Sequence, residues 1–357
     1  MTLKLALLGF GVVGQGLVEH LINHGEKVKE ETGFEPMVVA ISDFKKGSIY
    51  DPKGLDLKKV LEVLHTFGSL EEYPDSSDLV RDLDAVSTIL QTNANTIVEA
   101  TFTNVKTGEP ALTHCKTAFA AKKHVVMTNK GPIALAFHEL SELAKKHGTF
   151  LGYEGTVMSG TPSLRLPQTT LMGNTIHKIS GILNGTTNFM LTEMETGKTY
   201  EEALKDAQSL GYAEADPTSD VEGYDAVYKV VILANAVMGK RITVGDVERK
   251  GLNTLSTNDI SEAQKNNKCW KMLGAVEETA EGTIHAAVKP MLLDKSHPLA
   301  AVTGATNAIT YSCNMSGEIT LTGAGAGKSE TGYALLIDLI HCEQQMKNQS
   351  HTLENLR

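Results

Sequence analysis

Four cysteines are all that 357 residues contain, and Cys115, Cys269, Cys313 and Cys342 lie far apart with no CxxC spacing. That usage suggests neither a zinc site nor a disulfide framework, and it fits a reduced cytoplasm. A basic run is missing too: 33 Lys+Arg against 43 Asp+Glu give a formal net charge of −10. Nucleic acid, a polyanion, is therefore not an expected partner. No apolar span reaches the ~20 residues that a membrane helix requires. The N-terminal apolar run is broken early by Gly9 and Gly11, so neither a targeting segment nor a membrane anchor is expected.

Glycine, by contrast, is abundant at 32 residues, which favours tight turns and close backbone approaches. With 41% hydrophobic content the chain has ample core for two domains or one large one.

The stretch with most chemistry in it is 211–238, GYAEADPTSDVEGYDAVYKVVILANAVM. Over 230–238 only Asn235 is polar, and a helix that is apolar all round belongs in a core. One or two turns earlier Asp225 and Lys229 stand at i, i+4, which puts both side chains on one face. Upstream, Glu214, Asp216, Asp220 and Glu222 crowd a Gly/Pro-bearing loop, with Ser219 or Asp220 as the expected N-cap. A solvated acidic loop followed by an ordinary surface ion pair, worth ~0.2–0.5 kcal/mol, fits the same residues. An ion pair at the mouth of a buried helix is instead partly desolvated, and costly unless its geometry serves a purpose. An ammonium in a carboxylate-lined pocket suits a substrate that carries its own amino group.

Residues 3–8 read as a buried strand, followed by Gly9-Phe10-Gly11-Val12-Val13-Gly14 and a helical pattern through Leu17, Val18, Leu21 and Ile22. A GxGxxG between a first strand and a first helix is the context of the dinucleotide fingerprint. There Gly9 allows the turn, Gly11 lets a pyrophosphate approach, Gly14 lets the helix pack, and the helix N-terminus faces the phosphates. The second strand is expected at 37–41, with Asp43 beyond its end to accept a ribose 2′-hydroxyl, further downstream of Gly14 than the usual ~20 residues. Lys45 and Lys46 follow and suit a 2′-phosphate instead, so NAD and NADP both stay open.

Residues 48–84 are polar, with an amphipathic 55–64 and a short helix expected at 73–83. Strands at 96–100, 125–128 and 150–157 then alternate with helices at 108–121 and 134–146, the pattern of a doubly wound sheet. Asn129-Lys130-Gly131-Pro132 follows the 125–128 strand, and ligands bind beyond such strand ends, although a lysine in a surface turn fits there as well. Past Val157 the expected elements are a strand at 176–183, a helix opened by Asn184-Gly185-Thr186-Thr187-Asn188, a helix at 199–210 and a helix at 261–267. Strands at 270–276, 283–288, 308–314 and 318–322 suggest an antiparallel sheet, and a glycine-rich loop at 323–327 opens a last helix at 329–345.

Six motifs in this order, GFGVVG, TNKGP, GTVMSGTPS, ILNGTTNFM, GYAEADPTSDVEGYDAVYK and GAGAGKSET, resemble the homoserine dehydrogenases over essentially the whole length, in the short form without an aspartate kinase or ACT domain. The resemblance implies reversible conversion of L-aspartate 4-semialdehyde to L-homoserine with NAD(P)H, in the route to threonine, methionine and isoleucine. It implies a homodimer and a bound monovalent cation, usually sodium. By matching positions, Lys229 and Lys130 act at the reacting oxygen, Asp225 holds Lys229, Glu214 and Asp220 receive the amino-acid end, and Gly185 with Thr186 lines the pocket. The cofactor falls to the GFGVVG residues, Asp43, Lys45, Lys130, Gly325, Gly327 and Glu330, and the cation to Glu154, Val157 and Ser159. Ser159 stands where Gly or Ala is usual in the family.

The expected fold is thus α/β. A Rossmann-type doubly wound nucleotide-binding domain over 1–150 precedes an α+β substrate and dimerisation domain over 151–322 with a mainly antiparallel sheet. A loop and helix over 323–346 return to the nucleotide domain, and a polar tail over 347–357 is expected to fray. Two rivals remain: another Rossmann-type amino-acid semialdehyde dehydrogenase, and a non-catalytic nucleotide sensor. An aspartate-semialdehyde dehydrogenase would need a nucleophilic cysteine, and Cys115, at a helix centre, is badly placed for one.

Overall fold

The apolar runs of the N-terminal half assemble into a sheet in a computed structural model, which describes residues 2–355 and the side-chain surroundings of residues 2–348. Two units separate: Met1–Thr156 with Gly327–Arg357, and Val157–Ala326. In the first, β1 (Lys4–Leu8), β2 (Met37–Asp43), β3 (Gly47–Tyr50), β4 (Val80–Arg81), β5 (Thr96–Glu99), β6 (His124–Met127) and β7 (Leu151–Gly152) lie in the order β4-β3-β2-β1-β5-β6-β7. The strands from β2 to β7 in that order run parallel, whereas β3 and β4 fold back antiparallel. A parallel strand covered on both faces must be apolar throughout, and Leu5 to Leu8 are fully buried. The connections carry α1 (Val12–Thr32), α2 (Leu57–Phe67), α3 (Ala85–Gln91), α4 (Ala111–Ala120) and α5 (Lys130–His147). Strand order reverses between β1 and β5, where an open α/β sheet forms its ligand crevice.

Several boundaries differ from expectation. β2 continues through Asp43, which pairs with Gly47 across a hairpin. Residues 73–83 form no helix, because the Arg81 guanidinium donates to the carbonyls of Leu70 and Tyr73 and to the Asp75 carboxylate, which ties the chain before β4 as irregular turns. Of residues 150–157 only Leu151–Gly152 is strand, since the Glu154 N–H donates to Asp338 and the chain coils into a tight turn at Glu154–Thr156.

The second unit holds α6 (Arg165–Thr169), α7 (Gly185–Glu195), α8 (Tyr200–Ser209), α9 (Thr218–Val221), α10 (Tyr224–Ala236) and α11 (Thr257–Lys265). Its strands are β8 (Ile176–Ile182), β9 (Val247–Arg249), β10 (Lys268–Glu278), β11 (Ile284–Asp294), β12 (Thr306–Cys313) and β13 (Gly317–Ala324), in the order β13-β12-β8-β10-β11-β9. All these pairings are antiparallel except β11 with β9. Helix α10 is buried from Ala226 to Asn235, and Asn235 is tolerated because its amide exchanges two hydrogen bonds with the backbone of Ile242. It lies against β10, where Gly274 leaves the room: a Cβ there would come within 2.8 Å of both Val230 and Leu183.

Neither Ser219 nor Asp220 caps this helix. The chain makes the short α9 and then enters α10 through Gly223, whose φ of +83° suits only glycine; a Cβ there would also stand within 3.0 Å of Met272 and Val288. After β13 the chain re-enters the first unit as α12 (Lys328–Asn355), which crosses α1 where Gly16 and Gly332 bring the backbones together. Helix α12 runs to Asn355, so most of the expected polar tail is helical.

Candidate active site

Helix α10 enters the second unit with its charged turn facing the start of α7. The Lys229 Nζ donates to Asp225 Oδ2 at 2.7 Å and to the Leu183 carbonyl at 2.6 Å, and Lys229 is only 7% exposed. The i, i+4 pair is therefore desolvated. Asn184, the N-cap of α7, accepts from Thr187 N with its Oδ1 and donates with its Nδ2 to Asp220 Oδ1 at 2.7 Å and Asp225 Oδ2 at 3.0 Å. Two carboxylates and one ammonium thus meet around a single amide.

Burial, and then the adjacent Asp225 carboxylate, push the Asp220 carboxyl above its ordinary value, against the bonding of Asn184 and the charge of Lys229. Thr186, one position into α7, donates its hydroxyl proton to the Tyr212 carbonyl at 2.7 Å. Gly185 beside it has no room for a side chain, since a Cβ would stand 2.6 Å from the Ala305 carbonyl oxygen.

The other acids of the stretch go elsewhere. Asp216 caps Thr218 N, Glu222 is held by Arg249 and Asn253, and Glu214 stays exposed on the loop before α9. Of the four upstream carboxylates only Asp220 joins the cluster. Asn184 is the residue that sequence reasoning misses, because its neighbours make it read as a simple helix cap.

In the first unit a cleft of about 730 Å³ opens at the carboxyl end of the parallel strands, lined among others by Gly9, Gly11, Val12, Val13, Asp43, Lys45, Thr101, Phe102 and His114. Gly9, at φ +83°, has the Ala100 carbonyl 2.5 Å from where a Cβ would be, whereas a Cβ on Gly11 would meet nothing within 4 Å. Only Gly11 therefore leaves open space for an approaching phosphate, and α1 begins there without a side-chain cap. Phe10 and Gly14 do not line the cleft: Phe10 is fully buried, and Gly14 packs against the Gly9 carbonyl.

Asp43 accepts from the N–H groups of Phe10 at 2.7 Å, Lys45 at 2.9 Å and Lys46 at 3.0 Å, with the Lys46 ammonium 3.8 Å away. Burial pushes its carboxyl up, but those backbone donors and the Lys46 charge outweigh burial and hold it below the ordinary value. Lys46 faces Asp43, and Lys45 is exposed at the rim.

The remaining candidates are dispersed between the units. Lys130 is the first residue of α5 in the first unit. Glu154, in the first unit, is a buried carboxylate. Val157 and Ser159, in the second, follow one another through a left-handed turn, and the Val157 carbonyl accepts from Ser163 Oγ at 2.7 Å. Gly325 packs against the Asn307 amide in the second unit, while Gly327, at φ +139° in the first, is overlaid by the Glu330 carboxylate.

Comparison with known proteins gives this geometry a lineage. The family profile described as homoserine dehydrogenase matches residues 162–340, and one described as glutamate/leucine/phenylalanine/valine dehydrogenase matches residues 2–121. The NAD(+)-dependent homoserine dehydrogenase of Pseudomonas canavaninivorans is 45% identical over 98% of this chain and 99% of its own length. The chain belongs to the homoserine dehydrogenase family. A second relative, the homoserine dehydrogenase of Methanocaldococcus jannaschii, is 40% identical over 97% of this chain and 100% of its own length. The solved hyperthermophilic archaeal homoserine dehydrogenase in complex with NADPH superposes with a TM-score of 0.80 at 29% identity, covering 97% of this chain and 98% of that one. Membership makes the chain an NAD(P)-dependent oxidoreductase acting on a CH–OH group. Among the described residues no helix is long and apolar enough to cross a membrane.

Proposed function

We propose that the chain interconverts L-homoserine and L-aspartate 4-semialdehyde, with Lys229 as the residue at the reacting oxygen. The observation that carries this is the burial of the Lys229 ammonium between Asp225 and the Leu183 carbonyl, two acceptors that hold it in one direction. The nicotinamide ring, when bound, supplies or takes the hydride. Everything else falls to side chains. As an aldehyde is reduced, negative charge grows on its oxygen, and a fixed ammonium in a dry site both stabilises that charge and delivers the proton. In the oxidation direction the same nitrogen, as the neutral amine left by that delivery, takes the hydroxyl proton and becomes the ammonium again, a form that the adjacent Asp225 carboxylate favours against burial.

Asp220, reached through Asn184, is the acid for the substrate ammonium, with Glu214 as a second from the exposed loop. The first turn of α7, at Gly185 and Thr186, suits the substrate carboxylate, since anions favour helix N-termini. Lys130 serves from the nucleotide-binding unit, and the buried Glu154 carboxylate is a hard oxygen donor of the kind a monovalent cation takes. The same reading makes the protein a cytoplasmic homodimer in the supply of threonine, methionine and isoleucine. Purified protein should oxidise L-homoserine with growth of reduced-nicotinamide absorbance. No turnover with homoserine, or faster turnover with another hydroxy amino acid, would overturn the assignment.

Cofactor choice follows from Asp43. A carboxylate kept ionised by three backbone donors accepts a ribose hydroxyl and repels a 2′-phosphate, while Lys46 is already engaged with it. The expected preference is for NAD over NADP. Asp43→Ser, which retains a smaller acceptor, should lower the ratio of kcat/KM for NAD+ over NADP+ roughly tenfold, about the loss of one hydrogen bond to a charged group. An unchanged ratio in a folded variant would remove Asp43 from cofactor selection.

A further inference from the structure

A second lysine, which the reaction does not use, is sealed inside the second unit. Lys271 lies on β10 between Cys269 and Leu273, on the face that those residues bury, and is 1% exposed. Its Nζ donates to the Val302 carbonyl at 2.6 Å and lies 3.4 Å from Asn188 Oδ1. Asn188, fully buried on α7, in turn directs its Nδ2 to the carbonyls of Val302 at 3.2 Å, Gly304 at 2.9 Å and Thr306 at 3.2 Å. One helical turn further on, Thr192 Oγ1 accepts from Gly304 N at 3.0 Å. Helix α7 is thereby stitched along its length to the loop 302–306, with a buried charge as the anchor.

A buried charge is a poor device for stability alone, because apolar groups of similar volume often stabilise as well or better. What this one governs is position. The same loop presses on the first turn of α7, where a Cβ at Gly185 would stand 2.6 Å from the Ala305 carbonyl oxygen and 3.4 Å from Asn307 Oδ1. Asn184, four residues before Asn188 and so on the same helix face, holds Asp220 and Asp225, and Asp225 holds Lys229. A shift of α7 against the loop would displace the pocket lining and the acid that meets the substrate together.

We propose that Lys271, acting through Asn188, is a positioning residue that sets where Gly185, Thr186 and the Asn184–Asp220 pair meet the amino-acid end of the substrate. This rests on the homoserine reading above. The test is steady-state kinetics and thermal melting of Lys271→Met in the full chain, with L-homoserine and NAD+ varied separately. The expected result is a KM for homoserine raised roughly tenfold, which is the loss of about one hydrogen bond to a charged group. The KM for NAD+ should stay within about twofold and the Tm should equal or exceed that of the unaltered protein. A lowered Tm with an unchanged homoserine KM would make Lys271 a structural strut, and equal rises in both KM values would mean general distortion; either overturns the proposal. If Lys271→Met does not fold, Asn188→Leu, which removes the loop contacts directly, takes its place: the homoserine KM should rise with the NAD+ KM within about twofold, and an unchanged homoserine KM overturns the proposal. Absence of homoserine turnover in the unaltered protein would overturn the reaction and this inference together, whereas normal turnover with unchanged variants overturns this inference alone.

Discussion

Replacing Lys229 by Met should cut kcat for homoserine oxidation by roughly 10³, in the range expected when a positioned proton-transfer group is lost. Affinity for NAD+, measured by fluorescence titration or calorimetry, should stay within about twofold, because the dinucleotide fingerprint belongs to the other unit and the substitution removes an interaction made at the reacting oxygen. The side chain is nearly isosteric, so the pocket does not collapse, but Asp225 and the Leu183 carbonyl lose a donor at 2.7 and 2.6 Å. Breaking one side of a buried pair commonly costs about 3–5 kcal/mol; Asn184 still donates to Asp225, which reduces the penalty here. The double change Lys229→Met with Asp225→Leu should recover melting temperature and none of the rate. Activity above about a tenth of the unaltered protein in Lys229→Met would assign the proton transfer to another group, and full stability with full loss of rate separates chemistry from folding.

What the sequence makes legible depends on whether a feature is local. The strand, glycine turn and helix over residues 4–32 form one continuous segment, so the spacing of Gly9, Gly11 and Gly14 is enough to expect the nucleotide cleft. Helix α10 declares itself by having no polar face, and the Asp225–Lys229 contact follows from a four-residue helical step. Features that depend on distant chain are not legible. Asn184 reads as a cap from its neighbours, and its Nδ2 role exists only because α9 and α10 bring Asp220 and Asp225 to it. Asp216 and Glu222 resemble Asp220 in sequence, yet the backbone of Thr218 claims the one and Arg249 the other.

Two further misses have the same cause. Lys271 is the one charged residue within 270–276, and nothing nearby announces the Val302 carbonyl that receives it. Ser219 and Asp220 are both good caps for the start of α10, but space decides otherwise: Gly223 sits too close to Met272 and Val288 for a side chain. Wherever tertiary contact sets the outcome, propensity gives way to it.

Asp220→Asn is expected to make the protein more stable and less able to bind its substrate. The Asp220 carboxyl is pushed above its ordinary value by burial and by Asp225, so the folded state binds its proton more tightly than the unfolded chain does. By linkage its ionised form costs stability above the unfolded pKa, and that cost disappears as pH falls through the raised folded pKa. The amide carries no charge, so the variant should melt higher at pH 7, with the difference narrowing in acid. Binding should move the other way. An ionised acid facing the substrate ammonium contributes about 2 kcal/mol as a charge-assisted hydrogen bond, so the homoserine KM should rise roughly 30-fold. In the unaltered protein, kcat/KM for homoserine should fall on the acid side once pH drops through the Asp220 pKa, which burial and Asp225 raise above the ordinary Asp value. In Asp220→Asn the part of that limb due to Asp220 should vanish, because an amide does not titrate. A variant that melts higher but keeps both its homoserine KM and its acid limb would show that Asp220 tunes the Lys229 neighbourhood without touching the substrate.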